Sequence, residues 1–248
     1  MQMRVYKMKI IKYEITDSTN TRAKEYAKSA GAQMPALFIA DGQTAGRGRR
    51  GRSFDSEGGA GLYMSILFRP DAECCDAAKI TVLAAVSVCR AIRHLTGAEV
   101  GIKWVNDIYF DDKKLAGILT EGEIANCGGF SYAVCGIGVN LLSRDFPAEL
   151  SGRVTTLEDI SGVRVNRDGL AEKICEEFFA GWDFEDVIKE YRSFSILSGK
   201  RALMRRISGE SFFATVLDIT DDGALLVLRD DGVREELISA EVSVIFGD

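Results

Sequence analysis

Residues 36–69, ALFIADGQTAGRGRRGRSFDSEGGAGLYMSILFR, place a segment rich in glycine and arginine between two apolar runs. The runs at residues 36–40 and 62–69 have the composition of buried strands, and Pro70 ends the second. Between them, residues 41–52 contain four arginines and four glycines. The pattern predicts a sheet that carries a long, mobile loop able to close on a ligand.

The composition of residues 41–52 is typical of an anion-binding loop. Glycine lets the backbone approach a ligand closely, and arginine presents a planar fork of donors to phosphate or carboxylate. No Lys-Ser or Lys-Thr pair follows the glycines, so the segment is not a Walker loop. Gly46, Gly48 and Gly51 have the spacing of a dinucleotide fingerprint, but residues 52–59 cannot open a buried helix. The alternative is a solvated loop whose charges only favour solubility.

Composition limits the classes of function. The 248 residues, 46% of them hydrophobic, suffice for one large domain or for one domain with a small appendage. The net charge of −6 argues against a nucleic acid or a membrane as the main partner. The amino terminus lacks the apolar core of a signal peptide, and no run is long enough to span a membrane. We therefore expect a cytoplasmic protein.

The cysteines and the single histidine argue against a structural zinc site. No C-x-x-C pair occurs, and His94 lies in the last turn of a predicted helix, where a structural role suffices. Reduced, mostly buried thiols are the prediction for the six cysteines, which are Cys74, Cys75, Cys89, Cys127, Cys135 and Cys175.

Hydrophobic periodicity predicts helices alternating with short strands, followed by an all-β segment. A strand at residues 13–15 precedes a helix from Thr21 to about Ala30. Further helices are predicted at residues 76–96, 167–179 and 183–194, and further strands at 102–105, 108–110, 113–121 and 130–140. Five short runs then follow, at residues 201–206, 211–218, 224–229, 233–238 and 242–246, and these predict a small barrel. The predicted domains are residues 1–198 and 199–248.

Polar and glycine positions mark a possible pocket. Residues 16–20, TDSTN, are candidate helix N-caps, and they equally suit the wall of a pocket at a helix N-terminus; both interpretations stay open. Gly117, Gly136 and Gly138 fall within predicted strands, where a missing side chain lets a flat or narrow molecule lie against the sheet. Trp104 is predicted to be core.

Five motifs, in this order, resemble those of biotin protein ligases, specifically the short form without an amino-terminal DNA-binding domain. They are Asp17-Ser18-Thr19-Asn20, residues 43–52 (QTAGRGRRGR), Lys103-Trp104-x-Asn106-Asp107, residues 113–119 (KKLAGIL) and residues 136–140 (GIGVN). Residues 238–244 also resemble the family's C-terminal domain, a Src-homology-3-like barrel. The resemblance implies an α+β fold, with a mixed, mostly antiparallel sheet backed by helices and this small barrel.

The resemblance also implies a two-step reaction. Biotin and ATP, with Mg²⁺, would give biotinyl-5′-adenylate and pyrophosphate, and a lysine of a biotin carboxyl carrier protein or domain would then displace AMP. A carboxylate that attacks a phosphate needs fixed cations, for which Arg49 and Lys114 are the candidates. Asp107 would hold Mg²⁺ indirectly or accept the proton of the incoming amine.

The implied ligand contacts fall into two sets. For biotin they are Ser18, Thr19, Asn20, Gln43, Gly46, Arg47, Lys114, Gly117, Leu119 and Gly136, with Ser18, Thr19 and Gln43 on the ureido group. For ATP and the adenylate they are Arg47, Arg49, Arg50, Arg52, Phe54, Asn106, Lys114 and Asn140, with Asn140 on the adenine. Each has a plainer alternative: Lys114 can be a hairpin charge, and Asn106-Asp107 a turn.

Two residues depart from the family pattern. Phe54 stands where the family usually has tryptophan, and Val105 where it usually has proline. Phe54 keeps a flat face for stacking, so weaker packing is expected, and the predicted strand around Val105 should absorb the freer backbone. One rival is a lipoate or other acyl-acid ligase; another is a non-catalytic module that grips nucleic acid. We expect no DNA or membrane partner, and a homodimer is possible.

Overall fold

The computed structural model describes residues 8–70, 76–125, 129–181, 183–238 and 240–244. Cys74, Cys75 and Cys127 lie outside the described residues, as do the amino-terminal residues 1–7 and the end of the last predicted strand, residues 245–246. Cys89, Cys135 and Cys175 are buried thiols, as predicted. Within the described ranges, no helix is both long enough and apolar enough to cross a membrane.

Seven strands form the first sheet. They are β1 (Lys9–Thr16), β2 (Ala36–Gln43), β3 (Gly61–Phe68), β4 (Gly101–Lys103), β5 (Asp107–Phe110), β6 (Lys113–Ile124) and β7 (Phe130–Asn140). Their order across the sheet is β1-β2-β3-β7-β6-β5-β4. β1 runs parallel to β2, whereas the other neighbours are antiparallel. The predicted mixed, mostly antiparallel sheet is confirmed.

Helices cover both faces of this sheet. They are α1 (Thr19–Ala27), α2 (Ala77–Thr96), α3 (Leu157–Ser161), α4 (Arg167–Phe178) and α5 (Phe184–Ser193). Alternation along β2 sends Phe38 into a small cluster with Ala23 of α1, and Leu37 into the main core with α2, α4 and α5. Of the helices that the structure describes, α1 is the one that packs in the smaller cluster, on the face that carries the candidate site.

Most boundaries match the sequence predictions to within a few residues, with two corrections. α1 begins at Thr19, not Thr21, and ends at Ala27. The strand predicted to reach Val105 ends at Lys103, so Val105 lies in the turn before β5, after a cis Trp104–Val105 peptide. α3, a single short helix, was not predicted from the sequence.

The second sheet consists of β8 (Arg201–Arg205), β9 (Ser211–Ile219), β10 (Leu225–Arg229), β11 (Arg234–Leu237) and β12 (Glu241–Val244). All its pairings are antiparallel, in the order β11-β10-β9-β8-β12. Over the described residues, no pairing joins β11 to β12, so the predicted small barrel is corrected to an open five-stranded antiparallel sheet. Its apolar side chains share the main core with the first sheet.

Trp104 joins the two sheets. Its side chain is 5% exposed, and Nε1 donates a hydrogen bond of 2.9 Å to the carbonyl oxygen of Gly223, in the turn before β10. The prediction that Trp104 is core is confirmed. The boundary at residues 198/199 stays a prediction.

Replacing Trp104 with phenylalanine is expected to lower the free energy of unfolding by about 1–3 kcal/mol, because the buried Gly223 carbonyl loses its donor. Urea denaturation followed by circular dichroism measures this. A variant as stable as the wild-type chain would contradict a structural role for this bond.

Candidate active site

A cavity of about 240 Å³ opens on the α1 face of the first sheet. Gly117 of β6 pairs with Gly138 of β7, and Leu119 pairs with Gly136, so these four residues share that face. The three glycines have no side chains on this face, which lies beside the N-terminus of α1. The glycine positions expected to admit a ligand are therefore gathered at one place.

The cavity brings together most of the predicted site residues. Those that line it are Ser18, Thr19, Asn20, Gln43, Arg47, Arg49, Arg50, Arg52, Phe54, Asn106, Asp107, Lys114, Gly117, Leu119 and Gly136. The roles assigned to them stay predictions, because position alone does not establish a contact with a ligand.

Gly46 and Asn140 do not line the cavity. Gly46 is packed against the segment that follows the loop, because a Cβ at this position would lie 2.4 Å from the Phe54 carbonyl oxygen and 2.4 Å from Ser56 Oγ. Asn140 is buried, and its Nδ2 donates to the Thr155 carbonyl oxygen at 3.1 Å. In this structure both residues support the walls of the site.

Neutral polar groups form one end of the cavity. Gln43 Oε1 accepts two hydrogen bonds from Thr19, one from the backbone N–H at 2.8 Å and one from the hydroxyl at 3.2 Å. Gln43 Nε2 donates to Ser56 Oγ at 3.0 Å. Ser18 occupies the N-cap position of α1, yet its side chain makes no capping hydrogen bond. Of the two interpretations left open for residues 16–20, this geometry favours the pocket wall.

Asn20 connects α1 to three strands. Its Nδ2 donates to the Leu119 carbonyl oxygen at 3.2 Å and to Glu121 Oε2 at 2.9 Å. Its Oδ1 accepts from the hydroxyl of Ser65, a fully buried residue of β3, at 2.6 Å. Gly136 lies directly beneath this amide, since a Cβ built there would be 2.2 Å from Asn20 Oδ1.

Cations and amides form the other end. Lys114 Nζ lies 2.7 Å from Asp107 Oδ1, and Asn106 Nδ2 donates to the same oxygen at 3.1 Å. Arg49 Nη1 donates to Asn106 Oδ1 at 3.2 Å. Burial lowers the pKa of the half-buried Arg49, the charge of Arg50 acts in the same direction, and Asp107 opposes both. This end is suited to an anion.

Several residues of the site were not predicted from the sequence. Lys103 and Tyr109 line the cavity, with Lys103 Nζ 5.0 Å from the centre of the Tyr109 ring. Burial lowers the pKa of Lys103. Ala240, which directly precedes β12, and Val242, which lies within it, also contribute to the lining. Lys103 stands in a motif that was recognised, whereas the two aliphatic residues lie in the segment 238–244, which was matched to the C-terminal domain and not to the site.

Comparison with known proteins assigns the family. Residues 13–140 match the family model described as biotin/lipoate A/B protein ligase family, and residues 197–244 match the one described as biotin protein ligase C terminal domain. The chain belongs to the biotin/lipoate A/B protein ligase family. The resemblance seen in the sequence and the α+β fold class are thereby confirmed.

Relatives within the biotin/lipoate ligase family cover nearly the whole chain. A bifunctional ligase/repressor BirA of Bacillus spizizenii is 34% identical, over 95% of this chain and 74% of that protein. A biotin–[acetyl-CoA-carboxylase] ligase of Paracoccus denitrificans is 30% identical, over 92% of this chain and 97% of that protein. The structure of biotin protein ligase from Aquifex aeolicus in complex with biotin and ATP is 29% identical, with a TM-score of 0.79 over 96% of this chain and 98% of that one.

Proposed function

We propose that this chain is an ATP-dependent biotin protein ligase. The observation that carries the proposal is that one cavity joins a neutral end, formed by Ser18, Thr19 and Gln43, to a cationic end, formed by Arg49 and Lys114. A ureido ring with a carboxylate tail and a triphosphate need such a combination. Relatives named as biotin ligases and a similar structure that holds biotin and ATP support the same substrates.

In the first step, a biotin carboxylate oxygen attacks the α-phosphorus of ATP, and the bond to the pyrophosphate oxygen breaks. Both reactants are anions, so their approach depends on positive charge fixed in advance. Lys114 and Arg49 supply this charge from two sides of Asn106 and Asp107, whose hydrogen bonds hold the cations in place. Phe54, whose ring centre lies 6.0 Å from Lys114 Nζ, offers a flat face beside the reacting groups.

The lining is compatible with Mg²⁺. Among the described residues, no three His, Cys, Asp or Glu side chains are placed to hold a metal ion together. Mg²⁺ commonly binds through one or two carboxylates and substrate phosphates while it keeps several waters, so Asp107 and ATP form an adequate donor set. When bound, the ion would neutralise charge that develops on the phosphates.

In the second step, the acceptor lysine amine attacks the acyl carbon of the adenylate, and AMP leaves. Asp107 is the proposed acceptor of the amine proton, because its carboxylate lines the cavity beside Lys114. The proposed acceptor is a biotin carboxyl carrier protein or domain, which is supported by relatives named biotin–[acetyl-CoA-carboxylase] ligase.

Biotin-dependent exchange of labelled pyrophosphate into ATP, in the presence of Mg²⁺, tests the first step. Lipoate and octanoate serve as controls. We expect exchange with biotin alone. Exchange with lipoate instead would retain the adenylation chemistry and overturn the substrate, while no exchange with any of the three acids would overturn the proposed activity.

Arg49→Ala is expected to slow adenylate formation or to release the adenylate into solvent, because the loop loses a cation that faces Asn106 at 3.2 Å. Filter retention of labelled adenylate, followed over time, measures both effects. Arg164→Ala, which removes an arginine that is 73% exposed, is the control for total charge. Wild-type formation and retention in Arg49→Ala would contradict the role given to this residue.

A further inference from the structure

Glu121 of β6 lies behind the cavity wall, next to residues that line it. Its side chain is 25% exposed, although glutamate is seldom placed this deep without partners. The mechanism above does not use this carboxylate, and no motif pointed to it. Its contacts nevertheless reach the arginine loop, which is the segment of residues 41–52.

Each Glu121 oxygen has a cationic partner from a different element. Oε1 accepts from Lys24 Nζ of α1 at 2.9 Å, whereas Oε2 accepts from Arg47 Nη2 at 2.7 Å. Oε2 also accepts from Asn20 Nδ2 at 2.9 Å. One carboxylate thus ties the loop, the first turn of α1 and β6 together.

The charges support this arrangement. Burial alone would raise the pKa of Glu121, but hydrogen bonds from Asn20 and Lys24, together with the charge of Arg47, lower the pKa below its ordinary value. The carboxylate is therefore charged at neutral pH. Charge-assisted hydrogen bonds of this length are among the stronger ones in proteins.

We propose that Glu121 is a positioning residue that holds Arg47 over the neutral end of the cavity, named the biotin end after its proposed ligand, and fixes the orientation of the Asn20 amide. The proposal rests on the proposed function for its effect on biotin, and on geometry alone for its effect on the loop. Glu121 acts through Arg47 and Asn20 and does not touch the reacting atoms. Its loss is expected to weaken biotin binding and to leave the chemical step intact.

Glu121→Gln is the variant of choice, because it keeps the shape of the side chain and an acceptor for Asn20 while removing the charge that holds Arg47. Glu123→Gln is its matched control: Glu123 lies two positions along β6 and pairs with Lys28 at 3.5 Å, outside the cavity lining. Lys24→Met removes the other cation and separates the Arg47 contact from the Lys24 contact.

Two measurements test the proposal. By calorimetry, Glu121→Gln is expected to raise the Kd for biotin about tenfold, which is the effect of losing one charge-assisted hydrogen bond. The kcat for pyrophosphate exchange at saturating biotin is expected to stay within about twofold of wild type. In the ligand-free chain, trypsin is expected to cleave after the loop arginines faster in Glu121→Gln than in Glu123→Gln and Lys24→Met.

The outcomes separate this proposal from the proposed function. If Glu121→Gln and Glu123→Gln give the same biotin Kd, or if only kcat falls, the positioning role is overturned. The double variant Glu121→Gln/Arg47→Gln should bind biotin no more weakly than Arg47→Gln alone. Additive losses of affinity would also overturn the positioning role. If the wild-type chain binds no biotin, the proposed function fails. The contact between Glu121 and the loop is then tested by trypsin alone, and equal cleavage rates in Glu121→Gln and Glu123→Gln would overturn it.

Discussion

Lys114→Met is expected to slow biotin-dependent pyrophosphate exchange by about 10²- to 10³-fold, the usual effect of removing one preorganised charge-stabilising group from a transition state. The Lys114 ammonium lies 2.7 Å from Asp107, and its chain rests on Gly117, where a Cβ would lie 3.2 Å from Nζ. Its position is therefore fixed before ATP arrives. The initial rate of exchange at saturating biotin and ATP measures the effect.

Lys113→Met is the matched control, since Lys113 precedes Lys114 in the same hairpin but is exposed and does not line the cavity. Lys114→Met also leaves the Asp107 carboxylate without its cation. The double variant Lys114→Met/Asp107→Asn removes that uncompensated charge, and it should exchange more slowly than Asp107→Asn alone if Lys114 acts on the phosphate. Equal rates for the variants at positions 113 and 114 would rule out a catalytic role.

Gly136→Ala is expected to weaken biotin binding by roughly 10²-fold, because the new methyl group displaces an amide held by buried and partly buried hydrogen bonds, each costing about 1–3 kcal/mol when its partner is lost. The built Cβ would lie 2.2 Å from Asn20 Oδ1, which also accepts from Ser65. Calorimetric titration with biotin measures the change in Kd.

Two further variants keep this prediction testable. Gly58→Ala is the control, because a Cβ there meets nothing within 4 Å. Asn20→Ala/Gly136→Ala makes room for the methyl group, so it should recover the thermal stability lost in Gly136→Ala while biotin affinity stays low. Unchanged affinity in the single variant would show that the Asn20 amide does not order the biotin end.

Elements with strong periodicity and clear end signals were predictable from the sequence. α2 was predicted at residues 76–96 and spans Ala77–Thr96, because Asp76 caps its start and Gly97, with φ of 72°, ends it. α3 has five residues, too few for a period to show. α1 was placed two residues late because Thr19 and Asn20 are polar yet buried, so they resembled a turn.

The candidate site was predictable where chemistry is concentrated in short motifs, as in the arginine loop and around Lys114. Contacts between distant positions were not. Glu121 meets Asn20 and Arg47 across 101 and 74 positions of sequence, and no local signal distinguishes it from an exposed strand glutamate. Asn140 shows the converse limit: its motif is clear, but its amide faces Thr155 in a supporting wall.

The wall formed by Ala240 and Val242 has a consequence for the newly made protein. Once residue 114 has left the ribosome, a chain still being synthesised contains the three side chains proposed for catalysis, yet the cavity lacks part of its lining until residues 240 and 242 have followed. The Trp104 indole likewise waits for Gly223 before it has an acceptor. Under the proposed function, an incomplete chain would offer the adenylate a site without this part of its wall, which would leave the adenylate more exposed to water or to a nearby amine.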